Sequence, residues 1–266
     1  MEFVSLNGQI TPKDQLNFYD LERFRVADAC FESMLYTHGH IPLLALHQER
    51  LTQTCVLLKF ADCQISFTEI ERLLAENKLT FGMARIRFSV VRKKGVNYLP
   101  LGSEIQVLIE IFALKEIFKL VNNLGYFSDF EKSRNALSAI KSSNALIYVL
   151  AKQYATENHY DEVLIANEQK QWIEASSSNI FVVKNKQLFT AKEHSGCVNG
   201  VCKSFLINFL DVKFVELTDF VINGADELFL SNAVKLIQPV SQLDGKTLET
   251  NFTKELIERV KLKLVN

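Results

Sequence analysis

The sequence predicts an α+β protein built as two α/β lobes, and three patterns carry that prediction. Short alternating strands occur in both halves, only a few amphipathic helices lie among them, and the pattern resets near Lys115. Runs of strands broken by a small number of helices belong to α+β architecture rather than to a regular strand–helix alternation. The expected organisation is an N-terminal lobe over 1–114, a linker over 115–118 and a C-terminal lobe over 119–266.

The first lobe opens with EFVSLNGQI, a hairpin turning at Asn7-Gly8, the strongest short turn signal in a sequence. RVADACFESMLYTHGHIPLL predicts a second strand pair turning at His38-Gly39-His40. Leu46 to Phe60 repeats apolar residues at helical spacing (Leu46, Leu51, Cys55, Leu58). Phe67 to Asn77 predicts another helix, with Thr68 as its N-cap. ARIRFSVVRKK and IQVLIEIFAL read as two antiparallel strands around a loop holding Gly95, Pro100 and Gly102.

After the reset, KLVNNLGY predicts a strand, FSDFEKSRN a polar connection, and Ser142 to about Asn158 a long helix. Four strands follow, EVLIAN, QWIEA, NIFVVKN and QLFTA, each bounded by polar turns. A glycine turn leads into the helix KSFLINFL, then come the strands KFVEL and ELFLSN and a last helix over Thr253–Leu264.

Composition narrows the function classes. The 266 residues are 48% hydrophobic and 23% charged with a formal net charge of -1, so no basic excess points to nucleic acid or to an anionic membrane. Five cysteines without a C-x-x-C argue against a disulfide framework and for a reducing compartment. The N-terminal residues lack the basic-then-apolar pattern of a signal peptide. The expectation is a cytoplasmic protein. The histidines show no metal-site spacing, and no G-x-S-x-G, Walker or dinucleotide fingerprint is present.

Three pieces carry chemistry. Lys141 opens a K-x-x-N segment beside apolar Ala139 and Ile140, which suits an amine that must lose its charge to attack an aldehyde. Glu174 sits in a strand beside Trp172 and Ile173, where a buried carboxylate requires a cationic partner such as a pyridinium nitrogen. The turn Val198–Val201 runs into a helix, so the N–H groups of Gly200, Val201 and Cys202 can converge on a phosphate. Taken singly, each has a plainer reading: a surface lysine at a helix start, a solvated edge-strand glutamate, an ordinary helix entry. In this order they are what pyridoxal-phosphate chemistry needs. Arg50 supplies a guanidinium for the phosphate or a surface ion pair with Glu49 or Glu69. Arg85 and Arg87 share one strand face and either receive substrate carboxylates or stand in solvent.

Along nearly its whole length the chain resembles the fold-type IV, or class IV, pyridoxal-phosphate enzymes. DACFESM is similar to that family's G-D-G-x-F-E strand, with Ala27 and Ala29 in place of the glycines. LLALHQERLTQTC resembles the helix whose arginine, here Arg50, binds the cofactor phosphate. IKSSNALIYVLAKQYATENHYDEVLIAN resembles the Schiff-base lysine segment, WIEASSSNIFVVKN the strand whose glutamate meets the pyridine nitrogen, GCVNGVCK the phosphate turn, and DELFLSNAVKLIQPV the closing segment. Cys202 replaces a threonine and Lys203 an arginine of that turn. The resemblance implies pyridoxal 5'-phosphate on Lys141, with Arg50, Val201, Cys202 and Asn232 at its phosphate, a small-molecule amino substrate, and a homodimer. Val198-Asn199-Gly200 and Asn232-Ala233 lean towards the family's 4-amino-4-deoxychorismate lyases. An aminotransferase for D- or branched-chain amino acids is the alternative, and a cofactor-binding protein without turnover a third.

Overall fold

Apolar and polar residues alternate through the first half and fold it into one antiparallel sheet with a helical cover. In this computed structural model, which describes residues 2–16, 18–80 and 82–264, the chain divides into two units: Met1–Lys115 with Lys141–Asn144, and Glu116–Ile140 with Ala145–Leu264.

In the first unit, β1 (Phe3–Leu6) and β2 (Gln9–Pro12) pair through Asn7 and Gly8. Both turn residues have positive φ, 52° and 83°, as a two-residue hairpin turn of this hand requires. β3 (Ala29–Tyr36), β4 (Met83–Arg92) and β7 (Ile105–Leu114) complete a sheet in the order β2-β1-β7-β4-β3, and β5 (Gly95–Val96) with β6 (Leu99–Pro100) forms a small hairpin between β4 and β7. Helices α1 (Leu44–Leu58) and α2 (Phe67–Glu76) bury Leu51, Cys55, Ile70, Leu73 and Leu74 against Met34, Ile86, Phe88, Ile109 and Ile111. Each such large side chain contributes roughly 1.5–3 kcal/mol when fully buried.

The register decides which side chains meet. Glu32 faces Phe88 and Met34 faces Ile86, whereas Phe31 pairs with Ser89, Ser33 with Arg87 and Leu35 with Arg85. Successive residues of a strand point to opposite faces. Glu32 therefore belongs to the helix-covered face, and Phe31, Arg85 and Arg87 to the other.

Two expectations for this unit are corrected. No strand follows His40; Thr37 and His40 close a tight turn with reciprocal backbone hydrogen bonds of 3.0 Å, and β3 pairs with β4 instead. Pro42, next in line, has no N–H for a ladder. The α2 cap is Ser66 rather than Thr68: its side chain accepts from the Glu69 N–H at 3.2 Å.

In the second unit, β8 (Leu124–Lys132) and β9 (Glu162–Asn167) are parallel, with α3 (Leu146–Glu157) between them in the chain. Parallel neighbours need such a crossover. The antiparallel strands β10 (Trp172–Ala175), β11 (Asn179–Lys184) and β12 (Gln187–Ala191) follow, then α4 (Val201–Phe209) and β13 (Val212–Val215), which runs parallel to β12. α5 (Asp219–Asn223), β14 (Glu227–Asn232), β15 (Leu236–Val240), the short pair β16 (Gln242–Leu243) and β17 (Lys246–Thr247), and α6 (Asn251–Leu264) complete the unit. β11 pairs with β10, β12 and β14, so the sheet branches there, and the stacked rings of Phe181 and Phe229 (centroids 4.8 Å apart) fill the junction.

Three further corrections concern this stretch. FSDFEK is the continuation of β8, not a polar connection. KLVNNLGY enters the strand only from Leu124, with Val121 making an isolated bridge to Val240. Lys141 does not open a helix: α3 starts at Leu146, and residues 141–143 lie extended along β3, with a bridge between Cys30 and Ser142. No helix among the described residues is long and apolar enough to cross a membrane.

Candidate active site

Within the first unit, β3 carries Glu32 and the first turns of α1 carry His47 and Arg50. Arg50 donates Nε to Glu32 Oε1 at 2.8 Å and Nη2 to Oε2, gripping both oxygens, and His47 Nδ1 lies 2.6 Å from Oε2. Burial opposes the charge on Glu32, but Arg50 and His47 outweigh it and hold the carboxyl down at about 2. Burial also lowers His47, against the pull of Glu32 and with the help of Arg50 and Lys141. His47 is thus a neutral Nδ1–H donor rather than half of an ion pair; its buried Nε2 has no hydrogen-bond partner.

On the opposite face of β3, the Phe31 ring receives two cations. Lys141 Nζ is 4.5 Å and Arg87 Cζ 3.9 Å from its centroid. Cations over an aromatic face gain about 0.5–2 kcal/mol each. Arg87 also reaches Glu110 at 4.0 Å, and Arg85 lies over Phe112 at 4.4 Å. The backbone of Lys141 is tied to β3: its carbonyl accepts from Phe31 N–H at 3.0 Å, and Ser143 N–H donates to Ala29 O at 2.9 Å. The structure so brings Lys141, Arg87 and Phe31 together, and leaves Arg50 with Glu32 on the helix side.

Within the second unit, Glu174 sits where β10 shifts register between Trp172 and Glu174; irregularities of this kind re-aim a side chain. It is 3% exposed. Oε1 accepts from Lys132 Nζ at 2.6 Å and from the Tyr148 hydroxyl at 2.8 Å; Oε2 accepts from the Val198 N–H at 2.8 Å. Burial, reinforced by the Glu174 charge, raises the Tyr148 phenol far above its ordinary range, so it remains a donor. Lys132 and Tyr148 were absent from the sequence reading. Tyr148 stands on the first turn of α3, an open clue, but Lys132 lies in a stretch whose polarity hid the strand.

The glycine turn is built around Asn179. Its amide donates to Val198 O at 2.9 Å, and Asn199 N–H donates to Ala139 O at 2.9 Å. A Cβ on Gly200 would fall 1.9 Å from Asn179 Oδ1, so any other residue there would have to displace the Asn179 amide. Gly200 caps α4 without any side-chain cap, and no acidic residue occupies the first turn. Cys202 is buried, its thiol pushed up to about 12 by that burial, with Sγ 3.6 Å from Leu236 O. Lys203 Nζ is turned inward to Ala191 O and Cys197 Sγ, at 3.2 and 3.3 Å. Asn232 holds a turn: its Oδ1 accepts from the Val234 and Lys235 N–H groups at 3.0 and 2.7 Å, and its amide donates to Ser178 Oγ at 2.9 Å.

These residues fit pyridoxal phosphate. An uncapped helix start, without an acidic residue in its first turn and entered through a glycine that packs on Asn179, offers N–H donors to a phosphate. A carboxylate oxygen accepts about two hydrogen bonds, and Glu174 Oε2 has the Val198 N–H, which leaves it room for a ring N–H. Among the described residues no cluster of three or more histidine, cysteine, aspartate or glutamate side chains is placed to hold a metal ion.

Comparison with known proteins places this geometry. Residues 29–243 match the sequence model of the amino-transferase class IV family. A putative branched-chain-amino-acid aminotransferase of Methanocaldococcus jannaschii is 30% identical over 130 residues, 47% of this chain and 45% of that protein. That match therefore spans less than half the relative's length. A D-alanine aminotransferase of Bacillus licheniformis is 22% identical over 273 residues, 99% of this chain and 96% of its own. Among solved structures, a putative 4-amino-4-deoxychorismate lyase of Legionella pneumophila superposes with TM-score 0.83 at 22% identity, covering 96% of this chain and 97% of its own. The Escherichia coli branched-chain aminotransferase superposes with TM-score 0.86 at 21% identity, covering 99% and 95%. At such identities the superpositions establish the α+β fold that these enzymes share. The family match spans β3 through β16 and takes in every element that carries a candidate residue, so the chain belongs to the class IV aminotransferase family.

Proposed function

We propose that the protein is a pyridoxal-phosphate enzyme that removes pyruvate from 4-amino-4-deoxychorismate to give 4-aminobenzoate. The coenzyme reading rests on the hydrogen bonding of Glu174, whose Oε2 anchors the glycine turn through Val198. One carboxylate thereby links the acid for a ring nitrogen to the turn for a phosphate. The lyase reading rests on Val198-Asn199-Gly200 and Asn232-Ala233.

When bound, the coenzyme supplies an electron sink. The chain's own residues do the rest. Lys141 provides the amine that holds the coenzyme and then takes and returns protons at Nζ. Glu174 keeps the ring nitrogen paired with a negative charge. The N–H groups of Gly200, Val201 and Cys202 bind the phosphate, with Asn232 fixing the neighbouring turn and Arg50 adding charge. Arg87, with Arg85 beyond it, receives a substrate carboxylate near Lys141. The enzyme works as a homodimer in the cytoplasm.

A class IV aminotransferase is the second reading, favoured by the D-alanine and branched-chain relatives. Purified protein incubated with 4-amino-4-deoxychorismate separates the two. Release of pyruvate and 4-aminobenzoate without an added keto acid supports the lyase; turnover of amino acids only when a keto acid is present overturns it. Lys141→Ala is expected to abolish both turnover and the visible absorbance of lysine-bound coenzyme. Retention of that band would remove Lys141 from the site. Gel filtration at twice the chain mass tests the dimer.

A further inference from the structure

Glu174 already has a cation at hand from the chain itself. Lys132 Nζ spends its donors on Glu174 Oε1 (2.6 Å), the Tyr148 hydroxyl (2.5 Å) and Ser138 O (3.0 Å), and the residue is 8% exposed. An ammonium with three donors and three short acceptors is fully satisfied where it stands. Its position at the end of β8 is set by the ladder, in which Lys132 pairs with Asn167 beyond a register shift. The other groups facing Glu174 are neutral donors, the Tyr148 hydroxyl from α3 and the Val198 N–H from the glycine turn. The carboxylate of the adjacent strand, Glu162, is engaged elsewhere, by Ser176, Ser177 and Lys152.

A buried carboxylate without a cation is strongly destabilising. A coenzyme site must nevertheless exist before the coenzyme arrives. We propose that Lys132 is the resident counter-ion of Glu174: it substitutes for the positive ring nitrogen while the coenzyme is away, and shares the carboxylate with it afterwards. Lysine suits this because it is a point donor on Oε1 and leaves Oε2 without a cation, which the two-pronged guanidinium of an arginine does not. Lys132 is a positioning residue, and its role rests on the coenzyme reading given above.

The consequence is a competition between two cations for one acid. Removing Lys132 leaves the coenzyme-free protein with an unpaired buried charge, whereas the loaded protein still has the ring nitrogen to pair it. Loss of Lys132 therefore harms the free form more than the loaded form.

Thermal melting of the full-length protein, stripped and then saturated with pyridoxal phosphate, tests this. Lys132→Met is expected to lower the melting temperature of the stripped protein by roughly 5–10 °C. Its gain on adding coenzyme should exceed the wild-type gain by about 3 °C or more. A lysine that merely braces the fold lowers both forms equally, and equal gains in wild type and variant overturn the counter-ion role while leaving the coenzyme reading intact. No gain in the wild type overturns the coenzyme reading and this inference with it. If Lys132→Met does not fold in either form, Lys132→Gln, which keeps a donor but no charge, is melted in the same way and its gain decides.

Discussion

The two units each bury a carboxylate against a basic side chain, and they do so in opposite ways. In the first, the single fork of Arg50 closes across both oxygens of Glu32, and His47 adds a third donor on Oε2. In the second, Lys132 and Tyr148 crowd onto Oε1 of Glu174, and Oε2 has a single backbone N–H. Arginine presents a planar fork and lysine a compact point charge. The closed acid fixes a helix to a sheet. The open acid keeps Oε2, the oxygen proposed above for the ring nitrogen, clear of its cation.

The largest expected effect breaks the closed pair. Glu32→Ala leaves Arg50 beside α1 without its buried carboxylate, and the loss should be about 3–5 kcal/mol in urea unfolding. A loss under about 1 kcal/mol would show that the contact is no more than a surface ion pair. Acid sharpens the same contrast at a slightly smaller scale. Glu32 drops from its usual 4.5 to about 2 on folding. Because the folded value is the lower one, its stabilisation is complete above about pH 4.5 and disappears as pH falls through about 2, an amount on the order of 3 kcal/mol. Unfolding free energies measured from pH 6 downwards should show that slope in the wild type and a flatter one in Glu32→Gln. The smallest effect converts the open acid into a closed one. Lys132→Arg keeps the charge but offers a fork to both oxygens of Glu174, and coenzyme affinity measured by absorbance titration should fall about tenfold, or about 1.4 kcal/mol. Unchanged affinity would mean that the shape of the cation beside Glu174 does not matter.

How much of this was readable beforehand depended on the range of the interaction. Hairpin chemistry at Asn7-Gly8 and the alternation in ARIRFSVVRKK are local, and both elements formed as expected. The glycine turn into α4 was legible for the same reason. Glu174 was singled out by its apolar neighbours, and it is buried. The α2 cap, at Ser66 rather than Thr68, is a local miss; the other failures are long-range. Residues 128–131 are exposed along β8, carry no apolar pattern and fall in the gap of the β9 register, which resumes only at Lys132, so nothing local marks Lys132 at their end. The serines after Lys141 have the composition of a helix entry, yet their backbone is recruited by β3, distant in sequence, and the helix waits until Leu146. Glu32 meets His47 and Arg50 only because a strand and a helix pack together.

That recruitment sets how the amine at position 141 can travel. Its carbonyl and the N–H of Ser143 are stitched to the edge of a five-stranded sheet, so the main chain there is anchored to β3. Reorientation is left to the four side-chain torsions, which turn on a picosecond-to-nanosecond scale when unhindered. In the coenzyme-holding role proposed above, Lys141 would work from a fixed pivot on a short, fast arm.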